Sequence, residues 1–239
     1  VVFIVGVFVM RSAGCVINDL ADSEIDKHVE RTKGRPLASG ELTKKEAFIF
    51  LLFFLAIALS LAVSLGRDVM PWSLGGFALT VIYPFCKRYI SSPQIILGLA
   101  FSWSIPMAYV ACGSEFDLAM FLLWIGVALW IVVYDTFYAL VDIDDDLRTG
   151  VFSTAILFGN KVSMITSALQ IISLVLWACI GMIWQMGYIY YLMLIVILML
   201  FARQQYLISG REKSGCFRAF NESWYVGFFH FLAIFIGLS

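Results

Sequence analysis

Apolar residues form long runs in this chain, and polar residues are confined to the stretches between them. A transmembrane helix needs about 20 consecutive, mostly apolar residues, and the run FIFLLFFLAIALSLAVSL (48–65) has that character. The pattern predicts eight spanning helices, over residues 1–17, 46–65, 69–85, 94–112, 117–140, 162–182, 186–202 and 224–238. It therefore predicts an all-α protein, a polytopic transmembrane helical bundle forming a single domain over residues 1–239.

Composition supports a chain whose surface faces lipid. Of the 239 residues, 62% are hydrophobic and only 14% are charged, whereas soluble domains carry about 25% charged residues. The net charge of -1 gives no reason to expect a nucleic-acid partner. The cysteines stand singly in or beside apolar runs, without CxxC spacing, which favours packing over metal ligation or disulfides.

The placement of the basic residues predicts the orientation. All Lys and Arg residues except Arg11 and Arg67 follow odd-numbered segments. Because cytoplasmic loops carry the excess of Lys and Arg, we expect the odd-numbered segments to end in the cytoplasm. Most acidic residues lie in the same loops, which that rule does not require, and the loop after the first segment is about 28 residues long, far beyond usual connections.

The first acidic cluster reads NDLADSEIDKHVERTKGRPLASG. Asn18, Asp22 and Asp26 are spaced i, i+4, i+8, so they share one face if the first helix continues past Asn18. Asp19 joins the same side. Oxygen donors without His or Cys suit a hard cation such as Mg²⁺ or Ca²⁺.

The second cluster reads YDTFYALVDIDDDLRTG, in which Asp135, Tyr138, Asp142 and Asp146 again share a helical face. Mg²⁺ is typically held by one or two carboxylates together with substrate phosphates. Two facing stripes would therefore hold Mg²⁺ bridged to a diphosphate. The alternatives are a solvated acidic face, a divalent-cation transporter, and a phosphotransferase acting on a cytidine-linked donor.

Basic and aromatic residues near the stripes are candidate substrate contacts. Arg11 lies seven residues before Asn18 and inside a span, where a charge is by default functional unless it reaches the interface. Lys87 and Arg88 could neutralise phosphate oxygens or act only as topology charges, and the same holds for the loop residues Arg31, Lys33 and Arg35. The apolar segments also carry aromatic residues that could wall a cavity for a carbocation or simply pack: Phe101, Trp103, Tyr109, Trp124, Trp130 and Tyr134.

These motifs resemble a known family. NDLADSEID with RTKGRPLASG, and YDTFYALVDIDDDLRTGVFSTAILFG, are similar to the two signatures of the UbiA family of intramembrane aromatic prenyltransferases. The likeness extends through MRSAGCVIND, YPFCKRY, FSWSIPMAY and CFRAFNESWYVG, and is closest to the bacterial 4-hydroxybenzoate branch. The family has nine transmembrane helices, with loops capping a central cavity and motifs after the second and sixth helix, so one N-terminal helix is expected to be absent here.

The resemblance implies Mg²⁺-dependent transfer of a polyprenyl group from polyprenyl diphosphate to the ring of 4-hydroxybenzoate, a step of ubiquinone biosynthesis, at the cytoplasmic side of the bacterial inner membrane. Naphthoate or homogentisate acceptors remain open. By resemblance Asp22, Asp26, Asp142 and Asp146 are catalytic, and with Asn18 and Asp19 they hold the metal. Tyr138, Lys87, Arg88 and Arg35 stand where the family has substrate-contacting or loop residues. The predicted substrate contacts are these four residues, Asn18, and Arg11, the last from its position inside a span. Asp135 or Asp145 could remove the ring proton, and nothing in the sequence selects one.

Overall fold

The computed structural model describes residues 1–27 and 32–238, and every regular element within these ranges is helical. The α-helices are α1 Val2–Asp26, α2 Pro36–Ser39, α3 Lys44–Ser64, α4 Met70–Cys86, α5 Pro93–Ser102, α6 Ser104–Ala111, α7 Leu118–Thr149, α8 Thr154–Phe158, α9 Val162–Ile183, α10 Tyr188–Ile208, α11 Lys213–Asn221 and α12 Ser223–Gly237. Short 3₁₀ turns lead into α4 and α9. The predicted all-α class is confirmed.

Seven helical stretches in the described residues are long and apolar enough to cross a membrane: Val2–Glu24, Lys44–Ser64, Arg67–Cys86, Pro93–Ala111, Leu118–Thr149, Thr154–Ile183 and Tyr188–Ile208. They coincide with the first seven predicted segments. The eighth forms α12, whose 15 residues are fewer than the 19 residues of the shortest of these stretches.

The helices that carry the acidic clusters are longer than their apolar runs. α1 continues to Asp26 and α7 to Thr149, because hydropathy marks where a helix leaves lipid and not where its backbone hydrogen bonds end. α7 begins at an Asp117 side chain that accepts from the Met120 N–H at 2.7 Å. It ends at Gly150 in the left-handed conformation, φ 70°, which glycine adopts without a Cβ clash. Both predicted stripes therefore lie on continuous helix.

α7 is the central helix and packs against α5, α9 and α11. Its buried face includes Val133, Phe137 and Leu140, which join Ala155 of α8 and Cys216 of α11 in one core cluster. A second cluster, centred on the fully buried Trp177, joins α9, α10 and α12. The opposite face of α7 is thereby left toward α1 and α4, where a cavity opens.

A chain of side-chain amides joins the last helices within this apolar packing. Gln170 Nε2 of α9 donates to Gln204 Oε1 of α10 at 2.8 Å, and Gln205 Nε2 donates to Gln170 Oε1 at 2.8 Å. Gln204 Nε2 also donates to the Ala219 carbonyl oxygen and to Ser223 Oγ. These amides therefore have polar partners although they are largely shielded from water, as buried polar groups require.

Candidate active site

A cavity of about 1010 Å³ lies between α1, α3, α4, α5, α6, α7 and α11. Every site residue predicted from the sequence is on its wall: Arg11, Asn18, Asp19, Asp22, Asp26, Arg35, Lys87, Arg88, Tyr138, Asp142 and Asp146. The structure thus brings together residues that lie up to 135 positions apart in the chain. Their charged groups gather at one end of the cavity, and the remaining wall is mostly apolar.

The first stripe runs along the C-terminal half of α1. Asn18, Asp19, Asp22 and Asp26 line the cavity, and Asp22 and Asp26 are only 9% and 7% exposed. Nearly buried carboxylates need cationic partners or hydrogen-bond donors. In this stripe, arginine side chains supply both.

Arg35 joins two carboxylates of the first stripe. Its Nη1 lies 2.9 Å from Asp19 Oδ1 and 3.0 Å from Asp26 Oδ2. The loop that carries Arg35 is tied to the end of α1, because Thr32 Oγ1 donates to the Asp26 carbonyl oxygen at 3.2 Å. Of the basic loop residues considered in the sequence, Arg35 lines the cavity, Lys33 does not, and Arg31 lies outside the described residues.

Arg88 binds the third carboxylate of this stripe from the end of α4. Its Nη2 lies 3.2 Å from Asp22 Oδ1 and donates to the Ala21 carbonyl oxygen at 2.6 Å. Arg88 therefore fixes the spacing between α1 and α4 at the charged end of the cavity. It also brings a guanidinium group to the place where phosphate oxygens would meet the first stripe.

The second stripe lies on α7. Asp135, Tyr138, Asp142 and Asp146 all line the cavity, as does Asp145. Asp145 Oδ1 lies 3.5 Å from Arg148 Nη1, an exposed guanidinium. The Ser153 hydroxyl, at the N-terminus of α8, lies beside the Asp146 carboxylate. The motif therefore presents one face of α7 to the cavity.

Asp144, in the same acidic run, is absent from the cavity wall and points elsewhere. Its Oδ2 lies 2.9 Å from Lys213 Nζ at the start of α11. The hydrogen bond with the Asp144 carboxylate raises the pKa of Lys213 above its usual value. Asp144 therefore joins α7 to α11 in solvent.

Lys87 lies at the second stripe. The Phe152 N–H donates to the Lys87 carbonyl oxygen at 2.8 Å, which ties the end of α4 to the segment that follows α7. The Lys87 ammonium acts electrostatically on both Asp135 and Asp146. It also lies 5.2 Å from the centre of the Tyr83 ring, a favourable cation–π distance.

Two residues on the cavity wall, Tyr83 and Gln94, are missing from the sequence prediction. Tyr83 lies four positions before Lys87, so the YPFCK spacing places both on one face of α4. This spacing in the sequence is enough to identify Tyr83 as a candidate. Gln94 follows Pro93 at the start of an apolar helix. An isolated amide at such a position carries no recognisable motif.

Arg11 lies deeper in the cavity than the first stripe. It is seven residues, or about 10 Å, before Asn18 along α1, and its side chain is exposed on the cavity wall. Within the described part of the chain it forms no ion pair with an acidic side chain. A guanidinium in this position is available to an anionic group of a ligand.

Aromatic rings cover part of the remaining wall. Phe101, Trp103 and Tyr134 line the cavity as predicted, and Phe220 of α11 adds a ring 4.8 Å from that of Tyr138. Trp124 and Trp130 are not on this wall and pack against other rings. Tyr109 lines a smaller neighbouring groove.

The donor set fits a metal that is shared with a ligand. Among the described residues, no three His, Cys, Asp or Glu side chains converge closely enough to hold an ion by themselves. The cavity donors are oxygens from two facing helices, which is the chemistry that Mg²⁺ prefers when phosphates complete its coordination. The residues present therefore fit Mg²⁺ with a diphosphate better than a metal site made by protein alone.

Comparison with known proteins gives a consistent family. The model of the UbiA prenyltransferase family matches residues 1–233. A 4-hydroxybenzoate octaprenyltransferase of Saccharophagus degradans is 48% identical, over 99% of this chain and 79% of the relative. One of Vibrio parahaemolyticus is 46% identical, over 100% of this chain and 82% of the relative.

Solved structures agree with the fold. The apo structure of a UbiA homolog from Aeropyrum pernix K1 superposes with a TM-score of 0.85 at 24% identity, covering 98% of this chain and 87% of that one. A UbiA homolog from Archaeoglobus fulgidus bound to GPP and Mg²⁺ superposes with a TM-score of 0.71 at 19% identity, covering 96% and 87%.

Proposed function

Because the chain belongs to the UbiA prenyltransferase family, we propose that it transfers a polyprenyl group from polyprenyl diphosphate to the ring of 4-hydroxybenzoate, with Mg²⁺. The observation that carries this proposal is the meeting of two acidic stripes and three basic side chains at the charged end of one otherwise apolar cavity. Relatives that are 46–48% identical carry the name of that activity.

The charged end is suited to a diphosphate. Asn18, Asp22 and Asp26 on α1, with Asp19 beside them, and Asp142 and Asp146 on α7 would hold Mg²⁺. Bound there, the metal would neutralise the charge that develops on the leaving diphosphate. Arg35, Arg88 and Lys87 bind phosphate oxygens, and the two arginines exchange their present carboxylate partners for those oxygens.

The apolar part of the cavity receives the prenyl chain and excludes water from the allylic cation. The rings of Tyr138 and Phe220, together with Tyr134, stand where their faces stabilise positive charge. Arg11 binds the carboxylate of the acceptor, because it is a cation on the wall below the diphosphate end without an acidic partner among the described residues. The ring is thereby oriented toward the allylic carbon.

The protein is an integral membrane protein with several spans, and the lipid bilayer is its surroundings. We place the diphosphate end on the cytoplasmic side of a bacterial inner membrane, since the Lys and Arg residues cluster on that side of the bundle. A soluble diphosphate head and a lipid tail both reach a site at this depth.

The test is product mass spectrometry. Membranes carrying the chain are incubated with one polyprenyl diphosphate, Mg²⁺ and a panel of 4-hydroxybenzoate, naphthoate and homogentisate acceptors. Prenylated 4-hydroxybenzoate, lost when EDTA removes Mg²⁺, is the expected product. Product from another acceptor alone would correct the substrate, whereas Mg²⁺ flux into sealed vesicles without any prenylated ring would replace the enzyme by a transporter.

A further inference from the structure

Gln94 is a nearly buried amide at the junction of three elements. It lies in the first turn of α5 and is 4% exposed, yet it is on the cavity wall. One turn later, Gly98 lets α5 approach α7 closely, since a Cβ there would lie 2.8 Å from the Ala128 carbonyl oxygen. The close packing of α5 on α7 holds the Gln94 side chain beside Asp135.

The orientation of the amide is set by a backbone group. The Thr154 N–H donates to Gln94 Oε1 at 2.9 Å. Because an N–H group can only donate, the oxygen of the amide must face Thr154, and its amino group faces the other way. There the Gln94 side chain acts on the Asp135 carboxylate, and a carboxylate can only accept when it is ionised.

The support behind this amide is rigid. Thr154 Oγ1 and Thr136 Oγ1 are 2.7 Å apart, and Thr136 Oγ1 also donates to the Val132 carbonyl oxygen at 2.6 Å. Both threonines are fully buried. Gln94 is thus held by α8, and α8 is held by the helix that carries Asp135.

We infer that Gln94 is a positioning residue, whose amide aims the Asp135 carboxylate into the cavity so that Asp135 takes the ring proton at the end of prenyl transfer. The inference rests on the proposed function. It deepens that function by selecting between the two carboxylates that the sequence left open.

The position of Asp135 along α7 supports this assignment. It lies seven residues, or about 10 Å, from Asp142 toward the apolar part of the cavity. The allylic carbon must lie on that side, because the diphosphate occupies the charged end. Asp145 lies on the outer side of Asp142 and faces the Arg148 guanidinium at 3.5 Å, so it is farther from the reacting ring.

The proton balance is simple. In 4-hydroxybenzoate the carbon para to the hydroxyl carries the carboxylate, so the nucleophilic ring carbon is ortho to the hydroxyl. That carbon forms a bond to the allylic carbon as the bond to the diphosphate oxygen breaks. Asp135 accepts the proton from the attacked carbon, and the C–H electron pair restores the aromatic ring, leaving a protonated Asp135 and free diphosphate.

The test compares Gln94→Met and Gln94→Glu with the wild-type chain in proteoliposomes. Gln94→Met removes the acceptor for the Thr154 N–H and the amino group that faces Asp135. Gln94→Glu keeps an acceptor for the Thr154 N–H but removes the amide donor beside Asp135. It therefore separates the support of the fold from the positioning of Asp135. It also provides a test if Gln94→Met does not fold. In both variants kcat is expected to fall about 10-fold or more, with KM for both substrates within about 3-fold.

Two further readouts respond only to the proton step. With 4-hydroxybenzoate deuterated ortho to the hydroxyl, the variants should show a larger isotope effect on kcat than the wild-type chain. They should also release more prenyl alcohol for each prenylated product, because the cation forms but the ring keeps its proton and the adduct reverts. Gln170→Met is the matched control, since it removes a buried amide between α9 and α10 that does not line the cavity.

Each outcome decides the matter. An unchanged isotope effect and product ratio in the Gln94 variants, or the same changes in Gln170→Met, would overturn the positioning role while leaving the proposed function intact. Absence of any prenylated ring from the wild-type chain would overturn the proposed function and this inference with it.

Discussion

The acidic stripe on α1 forms ion pairs with two arginines from outside that helix, whereas the stripe on α7 has a lysine, an amide and a hydroxyl beside it. Asp19 and Asp26 share Arg35, and Asp22 binds Arg88. On α7, Asp135 lies beside the Gln94 amide, Asp146 lies beside the Ser153 hydroxyl, and the Lys87 ammonium acts on both carboxylates. Both stripes have similar spacing in the sequence, but their surroundings differ.

This difference indicates that the two stripes respond differently when substrate binds. The partners of the α1 stripe come from a loop and from a helix end, and they can move to phosphate oxygens when substrate enters. α7 is packed on the opposite side through Val133, Phe137 and Leu140, so its stripe is fixed before substrate arrives. Preorganised groups lose little free energy to rearrangement during reaction, and the α1 stripe is the part that adapts.

The largest expected effect is common to both stripes. Asp22→Asn and Asp142→Asn should each lower turnover by about 100-fold or more, because each removes a carboxylate from the proposed metal site. Turnover is measured by product mass spectrometry, after membrane insertion has been checked. Asp144→Asn is the matched control, since Asp144 lies off the cavity wall and binds Lys213. If Asp142→Asn behaved like Asp144→Asn, the assignment of the α7 stripe to metal would be wrong.

Arg35→Gln tests the α1 stripe independently of the α7 stripe. Removing the cation between Asp19 and Asp26 leaves uncompensated negative charge, so the metal should bind the substrate-free chain more tightly. KM for polyprenyl diphosphate should rise about 10-fold, because a charge-assisted phosphate contact is lost. Mn²⁺ titration followed by electron paramagnetic resonance measures the first effect, and steady-state kinetics measures the second.

The opposite signs are the decisive part of that prediction. Arg203→Gln is its control, because Arg203 pairs with Glu222 and neither residue lines the cavity. A parallel loss of metal affinity and substrate affinity in Arg35→Gln would mean that Arg35 only supports the fold of the α1 stripe.

The smallest expected effect concerns Lys213, which binds the α7 motif outside the cavity. Lys213→Met should leave turnover within about 2-fold and lower the thermal midpoint by no more than about 2 °C, since the pair is exposed. The pKa of Lys213 is raised from 10.5 by Asp144, so its stabilising effect is complete below 10.5 and lost as pH rises above it. Thermal melts of both proteins at pH 7 and pH 11 measure this, and a difference that grew with pH would contradict the pairing.

The sequence predicts the helices and the stripes well because both are periodic. Asn18, Asp22 and Asp26 recur every fourth position, and a spacing of this kind fixes a helical face before any tertiary contact is known. The clustering of Arg35, Lys87 and Arg88 on one side of the bundle is equally visible in the order of residues. Local pattern therefore predicts which side chains can meet at the cavity.

The roles of residues that depend on contacts between distant segments could not be predicted in this way. Gln94 acquires its position from a glycine one turn away and from the backbone of Thr154, 60 residues along the chain. Asp144 and Asp145 stand next to Asp146 yet have different partners, because neighbouring positions on a helix are rotated by about 100°. Such assignments depend on packing between distant segments, which periodicity does not encode.

The glutamines between α9 and α10 have a consequence for how the protein is assembled after insertion. A slide of α9 past α10 by one turn, about 5.4 Å, would leave Gln170, Gln204 and Gln205 without partners in hydrocarbon. The hairpin therefore has one favoured register, although each such bond contributes only about 0.6 kcal/mol in a membrane. Since Gln204 also binds Ala219 and Ser223, α11 and α12 have a docking place only once this hairpin has formed. We expect the helices at the C-terminal end to pack in the order of their synthesis. α11 would then close its side of the cavity only after α9 and α10 have paired.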